Sequence, residues 1–157
     1  MLSTRGVTAG ILFLCLAALA FAGCGGGGDS DEPEALTKAQ YVKQAEAICK
    51  KTDAKQSKLV SQELKARAGS GPASKSEQEA FVTKAAVPPL EEEAANLAEL
   101  GGPEGEEEKA EAMVKALEKA TQEIKEDPQA FIEGQSKAFV PVEKMASDLG
   151  VEACGAA

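Results

Sequence analysis

The sequence predicts an all-α protein, a small antiparallel bundle of four to five helices behind a flexible N-terminal tether. Three observations predict it. From Leu36 onward the apolar residues recur at spacings of three and four, the period of a helix with one buried face, and no stretch alternates as a strand does. Gly/Pro clusters cut the 122 residues from Leu36 to Ala157 into helix-length pieces. Hydroxyl residues followed three positions later by Gln or Glu stand where helices should begin.

Before the bundle come two other segments. Residues 1–23 carry one charged side chain, Arg5, followed by the uncharged run VTAGILFLCLAALAFA from Val7 to Ala22. A basic start, a short apolar stretch and small residues at its exit describe a secretory signal peptide. The run falls short of the roughly 20 apolar residues that cross a bilayer. Its exit, Phe21-Ala22-Gly23-Cys24, resembles the lipobox of bacterial lipoproteins, with Phe21 where leucine is usual. The resemblance implies cleavage before Cys24, whose thiol takes a diacylglycerol. Ordinary secretion with Cys24 as a leftover thiol is the alternative. Residues 24–35, CGGGGDSDEPEA, show no apolar periodicity, and a Gly-rich coil of this length reaches roughly 20 Å. Its Asp29, Asp31, Glu32 and Glu34 would repel an anionic lipid surface.

The bundle domain spans residues 36–157. Thr37 and Gln40 read as a capping box, with Leu36 and Tyr41 as its hydrophobic staple. Tyr41, Ala45, Ile48, Thr52 and Leu59 then share a face, beside Cys49, on a helix running to about Arg67 and stopped by Gly69-Ser70-Gly71-Pro72. A second helix starts at Ser74 or Ser76, with Phe81, Val82, Ala85 and Ala86 as its apolar side. Pro88-Pro89 predicts a kink or short break, since proline removes a helical donor and its ring crowds the preceding turn. Leu90, Ala94, Leu97 and Leu100 continue the stripe to Gly101-Gly102-Pro103.

A third helix starts near Gly105, buries Ala110, Met113, Val114, Leu117, Ala120 and Ile124, and ends at Asp127-Pro128. A loop with Phe131, Ile132 and Gly134 leads to a fourth helix over Gln135–Leu149. Its expected core residues are Phe139, Val142, Met145, Ala146 and Leu149. Gly150 suits the left-handed closing position, with Val151 folding back on Met145.

Composition narrows the chemistry. With no histidine among 157 residues, Ser-His-Asp and Cys-His catalysis and imidazole metal sites are excluded. A net charge of −9 with 4% aromatics argues against nucleic acid as a partner. Cys15 leaves with the signal peptide and Cys24 takes lipid, so Cys49 and Cys154 remain for one disulfide. A redox pair or thiolate metal site is the other reading of these two, but no C-x-x-C spacing supports it. The glutamate runs Glu91–Glu93 and Glu106–Glu108 read as solvated faces or helix-start charges rather than calcium ligands. Carboxylate-pair catalysis lacks the aromatics of a sugar cleft. Met113 and Met145 read as core rather than soft metal ligands.

The Gly tract after Cys24, LTKAQYVKQAEAICKK (Leu36–Lys51), VPPL (Val87–Leu90), the Leu97–Leu100–Pro103 turn, Asp127-Pro128 and LGVEACG (Leu149–Gly155) together resemble a family of small helical lipoproteins of high-GC Gram-positive bacteria. The likeness covers most of the mature chain, and its pattern of one cysteine in the first helix and one near the end implies the same Cys49–Cys154 bridge. It implies no activity. The expectation is therefore a non-enzymatic binding or structural module without metal or cofactor, held by acyl chains on Cys24 at the outer face of the cell membrane. Its partner is an unidentified envelope protein. The alternative is a small-molecule or metal-binding accessory lipoprotein of a transporter or sensor.

Overall fold

The computed structural model describes residues 36–155, and the expected signal peptide, lipobox and tether lie outside them. Among the described residues there are five α-helices and no strand: α1 (Lys38–Ala66), α2 (Lys75–Leu100), α3 (Glu107–Glu126), α4 (Pro128–Ile132) and α5 (Val140–Leu149), followed by a 3₁₀ turn, Glu152–Gly155. None of these helices is long and apolar enough to cross a membrane. The antiparallel bundle closes on itself. α1 packs on α2, α2 on α3, α3 on α5, and the 3₁₀ turn returns the chain to α1, with α4 lying over α2 and α3.

Local chemistry sets the ends of these helices. Thr37 forms the expected capping box with Gln40, and Ser74, rather than Ser76, forms the second one with Glu77. In both, each side chain satisfies a backbone N–H that the first helical turn leaves orphaned. The Asp127 carboxylate caps a new short helix, accepting from the Ala130 N–H at 2.9 Å, with Pro128 at its start. The segment expected as loop is thus partly helical. The last helix begins five residues later than predicted, at Val140. Pro141 explains it: with no N–H to offer Lys137 and a ring that crowds that carbonyl, it stops the helix from extending upstream. At the other end Gly150, at φ +79°, allows the Val151 N–H to reach the Ala146 carbonyl at 2.8 Å and turns the chain inward.

One core joins all the long elements. The staple residue Tyr41 is fully buried, as are Met113, Leu117, Ile124, Leu149 and Val151, with Leu97 beside them. Every α3 residue predicted to be buried is buried. On α1 the buried set is Tyr41, Ala45, Cys49 and Thr52, while Ile48 and Leu59 are only half covered. Phe139 and Met145 likewise lie partly exposed against the core. α2 runs unbroken through Pro88-Pro89, so no break occurs there. Val87, Pro89 and Leu90 are buried around the prolines, and that packing holds the helix where the Lys84 and Ala85 carbonyls lose their usual donors. At Gly102 a Cβ would lie 2.5 Å from the Glu107 Cα, so the α2–α3 turn requires glycine for close approach.

Burial is uneven along the first hairpin. No residue between Asp53 and Lys84 is fully buried, and Val60 and Leu64 expose 42% and 68% of their surface. The two helices therefore extend past the last packed layer, held there by polar contacts. Arg67 bridges Glu63 on its own helix and Glu77 at 3.1 Å on α2. Lys51 and Lys55 reach across to Glu92. Such exposed pairs contribute little each, so the outer hairpin is the least stabilised part of the domain.

Candidate functional site

Cys49, buried on α1, and Cys154, on the 3₁₀ turn, form a disulfide with a Cα–Cα distance of 5.0 Å across 105 residues of sequence. The bridge expected from counting cysteines is present. The Gly150 turn makes it geometrically possible, because it redirects the chain from α5 back onto α1.

Next to the bridge lies a recess of about 180 Å³, half open to solvent, where the outer hairpin leaves the packed bundle. Its walls are mostly apolar: Val60 from α1, Phe81, Val82, Ala86 and Leu90 from α2, Leu117 from α3, and Phe131 and Phe139 from either side of the α4–α5 link. The two phenylalanine rings meet at 6.3 Å in a tilted pair, which fixes that wall. Thr52, Asp53, Gln56 and Glu93 are its polar residues, and no lysine or arginine lines it.

Glu93 is the unusual member. It is only 5% exposed, and its carboxyl oxygen and the sulfurs of Cys49 and Cys154 lie within 4.8 Å of one another. Desolvation pushes its pKa up, and the nearby Asp53 charge adds to the rise. A hydrogen bond from Thr52 opposes it. Burial also raises Asp53. Among the described residues neither acid pairs with a lysine or arginine, whereas the neighbouring Glu91 and Glu92 are exposed and bridge to Lys125 and to Lys51 and Lys55.

Glu93 thus corrects the reading of Glu91–Glu93 as one solvated run. The signal was present in the sequence. Leu90, Glu93, Ala94 and Leu97 follow the i, i+3, i+4, i+7 spacing of a buried stripe, so the third glutamate falls on the apolar face. The other run matches its reading, with Glu107 and Glu108 in the first turn of α3. Glu106, paired with Lys109 and Lys38, is held down to about 2. Met113 is fully buried and Met145 packs against the core. Of the sequence-predicted site residues, Cys49 and Cys154 meet, while Phe21, Ala22, Gly23 and Cys24 lie outside the described residues.

Chemically, Cys49, Glu93 and Cys154 form the one trio of potential metal donors among the described residues. With the bridge closed its sulfurs carry no thiolate charge, which leaves a single carboxylate as a ligand. The arrangement suits a bound molecule better than an ion.

Burial of Glu93 has a pH signature. An acid whose folded pKa is raised favours folding most when protonated, and that contribution is lost as pH climbs above the unfolded value near 4.5. The depressed Glu77 and Glu106 work in the opposite sense, but their window lies between about 4.5 and 2, where acid removes their support. Asp53, also raised by burial, acts in the same sense as Glu93, so the Glu93 share between pH 5 and 8 is read from the difference between parent and variant. Glu93→Gln is expected to melt about 4 °C above the parent at pH 8, the scale of about 1 kcal/mol in a domain of this size. The difference should shrink toward pH 5. Calorimetry across that range checks it, and equal melting at pH 8 would contradict a desolvated carboxylate.

Comparison with protein-family models, with curated proteins and with solved structures finds no match to this chain.

Proposed function

We propose that this chain is a non-enzymatic, lipid-anchored binding module on the outer face of a bacterial cell membrane, in which the recess beside the disulfide takes a small apolar ligand. The anchor rests on the Phe21–Cys24 signal and on the resemblance to small helical lipoproteins. The binding reading rests on one observation, the half-open apolar recess of about 180 Å³ with a buried carboxyl in its lining. An apolar cavity of about 150 Å³ already accepts a benzene-sized molecule. Convergence of apolar walls on a few polar groups is the usual make-up of a small-molecule site. This favours a ligand-binding accessory protein, serving a transporter or sensor in the envelope, over a purely structural spacer.

The recess is tested with a neutral fluorophore, N-phenyl-1-naphthylamine, whose emission rises in apolar surroundings. Saturable enhancement is expected, and Ala86→Trp, which places a bulky side chain at a half-buried lining position, should weaken it at least tenfold. Because the protein has no tryptophan of its own, the same variant reports through indole fluorescence whether the site is still folded. Equal binding by parent and folded variant, or no saturable binding by the parent, would remove the recess as a ligand site.

A further inference from the structure

The charge of the recess says more about its occupant than its size does. Two acids, Glu93 and Asp53, line a mostly apolar cavity that no lysine or arginine shares. Glu93 is nearly inaccessible to water, and the polar groups that act on it are the neutral Thr52 hydroxyl and the Asp53 carboxyl, neither of them a cation. A buried carboxyl with no cationic partner is costly in either state. Ionised, it lacks a counter-charge; protonated, it gives up the hydration it would enjoy outside. The Cys49–Cys154 sulfurs within 4.8 Å are bonded to each other and cannot supply the missing charge. The interior thus offers strong acceptors and apolar area, and lacks one thing, a positive donor.

We infer that the recess selects a small apolar molecule carrying a protonated amine, with its hydrocarbon or ring against Phe81, Phe131, Phe139 and Leu90 and its ammonium between Glu93 and Asp53. This rests on the binding reading proposed above and specifies its ligand class. An ammonium there forms charge-assisted hydrogen bonds in a water-poor site, where such bonds are stronger than neutral ones. A bare divalent cation fits less well, since hard cations take six or more oxygen ligands and these walls are hydrocarbon. An anionic amphiphile would set like charges together in a low-dielectric site. Val60, an exposed member of the lining, and Leu64, exposed one helical turn further along α1, extend the apolar surface for a chain longer than the cavity.

The test compares n-octylamine, n-octanol and n-octanoate as competitors of the fluorophore at pH 7 on the intact domain. The amine is expected to compete at least tenfold better than the alcohol, and the carboxylate worst of the three. Glu93→Gln should abolish the preference for the amine over the alcohol, and Asp53→Asn should reduce it in part. If octanol competes as well as octylamine against the parent, the recess remains a ligand site but the ammonium inference fails. A preference for the amine that survives in Glu93→Gln also overturns it. If none of the three displaces the fluorophore, the ammonium inference fails, while the binding reading stands or falls on the Ala86→Trp comparison above.

Discussion

Replacing both Cys49 and Cys154 with alanine is expected to remove about 4 kcal/mol of stability and to lower the melting temperature by about 15 °C. The figure comes from the loop the bridge closes. The two cysteines are 105 residues apart, and on the chain-entropy model a loop near 100 residues is worth about 4.7 kcal/mol, with native disulfides typically contributing 2–5. A domain of this size loses about 4 °C per kcal/mol. Two features place the effect toward the upper part of that range. The bridge joins the 3₁₀ turn to α1 and so closes the ring of packed elements. The core it supports is rich in Ala, Val and Leu, with Tyr41 the one fully buried aromatic among the described residues. Thermal melts of the parent with and without a phosphine reductant, beside the double variant, check the prediction. Reduced parent and variant should coincide; a shift under about 3 °C would show that packing alone holds the ring shut.

Cys24→Ser is expected to eliminate lipid attachment outright. If Cys24 carries a diacylglycerol, two acyl chains anchor the protein stably, where one chain binds membranes only marginally and none leaves no anchor. Metabolic labelling with an alkynyl fatty acid should mark the parent and not the variant. Because an unlipidated precursor can keep its apolar leader, the partition assay uses the Cys24→Ser variant exported behind a leader cut by an ordinary signal peptidase. The parent should enter the detergent phase and that variant the aqueous phase. Label on the variant, or parent protein in the aqueous phase, would overturn the anchoring proposal.

The helices other than α4, their order and most of their ends were legible because each is set by neighbouring residues. Thr37/Gln40 and Ser74/Glu77 are reciprocal hydrogen bonds within one turn, and Gly150 answers a backbone need that only a residue without Cβ meets freely. The disulfide was legible by elimination, since an even remainder of two leaves one intramolecular pairing. Pro88-Pro89 was different. Two prolines cost an isolated helix several kcal/mol, and only burial of Val87, Pro89 and Leu90 against other elements settles that α2 continues. The start of α5 failed for a local reason that was available, the missing N–H of Pro141.

The sequence by itself determined the all-α bundle, the cysteine pairing and the buried face of α3, because those follow from periodicity, capping and counting along one chain. Tertiary structure alone decided where the outer hairpin parts from the core, and that Phe81, Phe131 and Phe139 surround a recess rather than fill it. It also decided that Glu93, which its own helix already sets on the apolar stripe, lies beside a closed disulfide with no lysine or arginine, while Glu91 and Glu92 meet lysines at the surface. The physical reason is that periodicity assigns a residue to a face of its own helix. How much space remains in front of that face, and whether a counter-charge reaches it, depends on side chains from α1, α3 and the α4–α5 link that are distant in sequence.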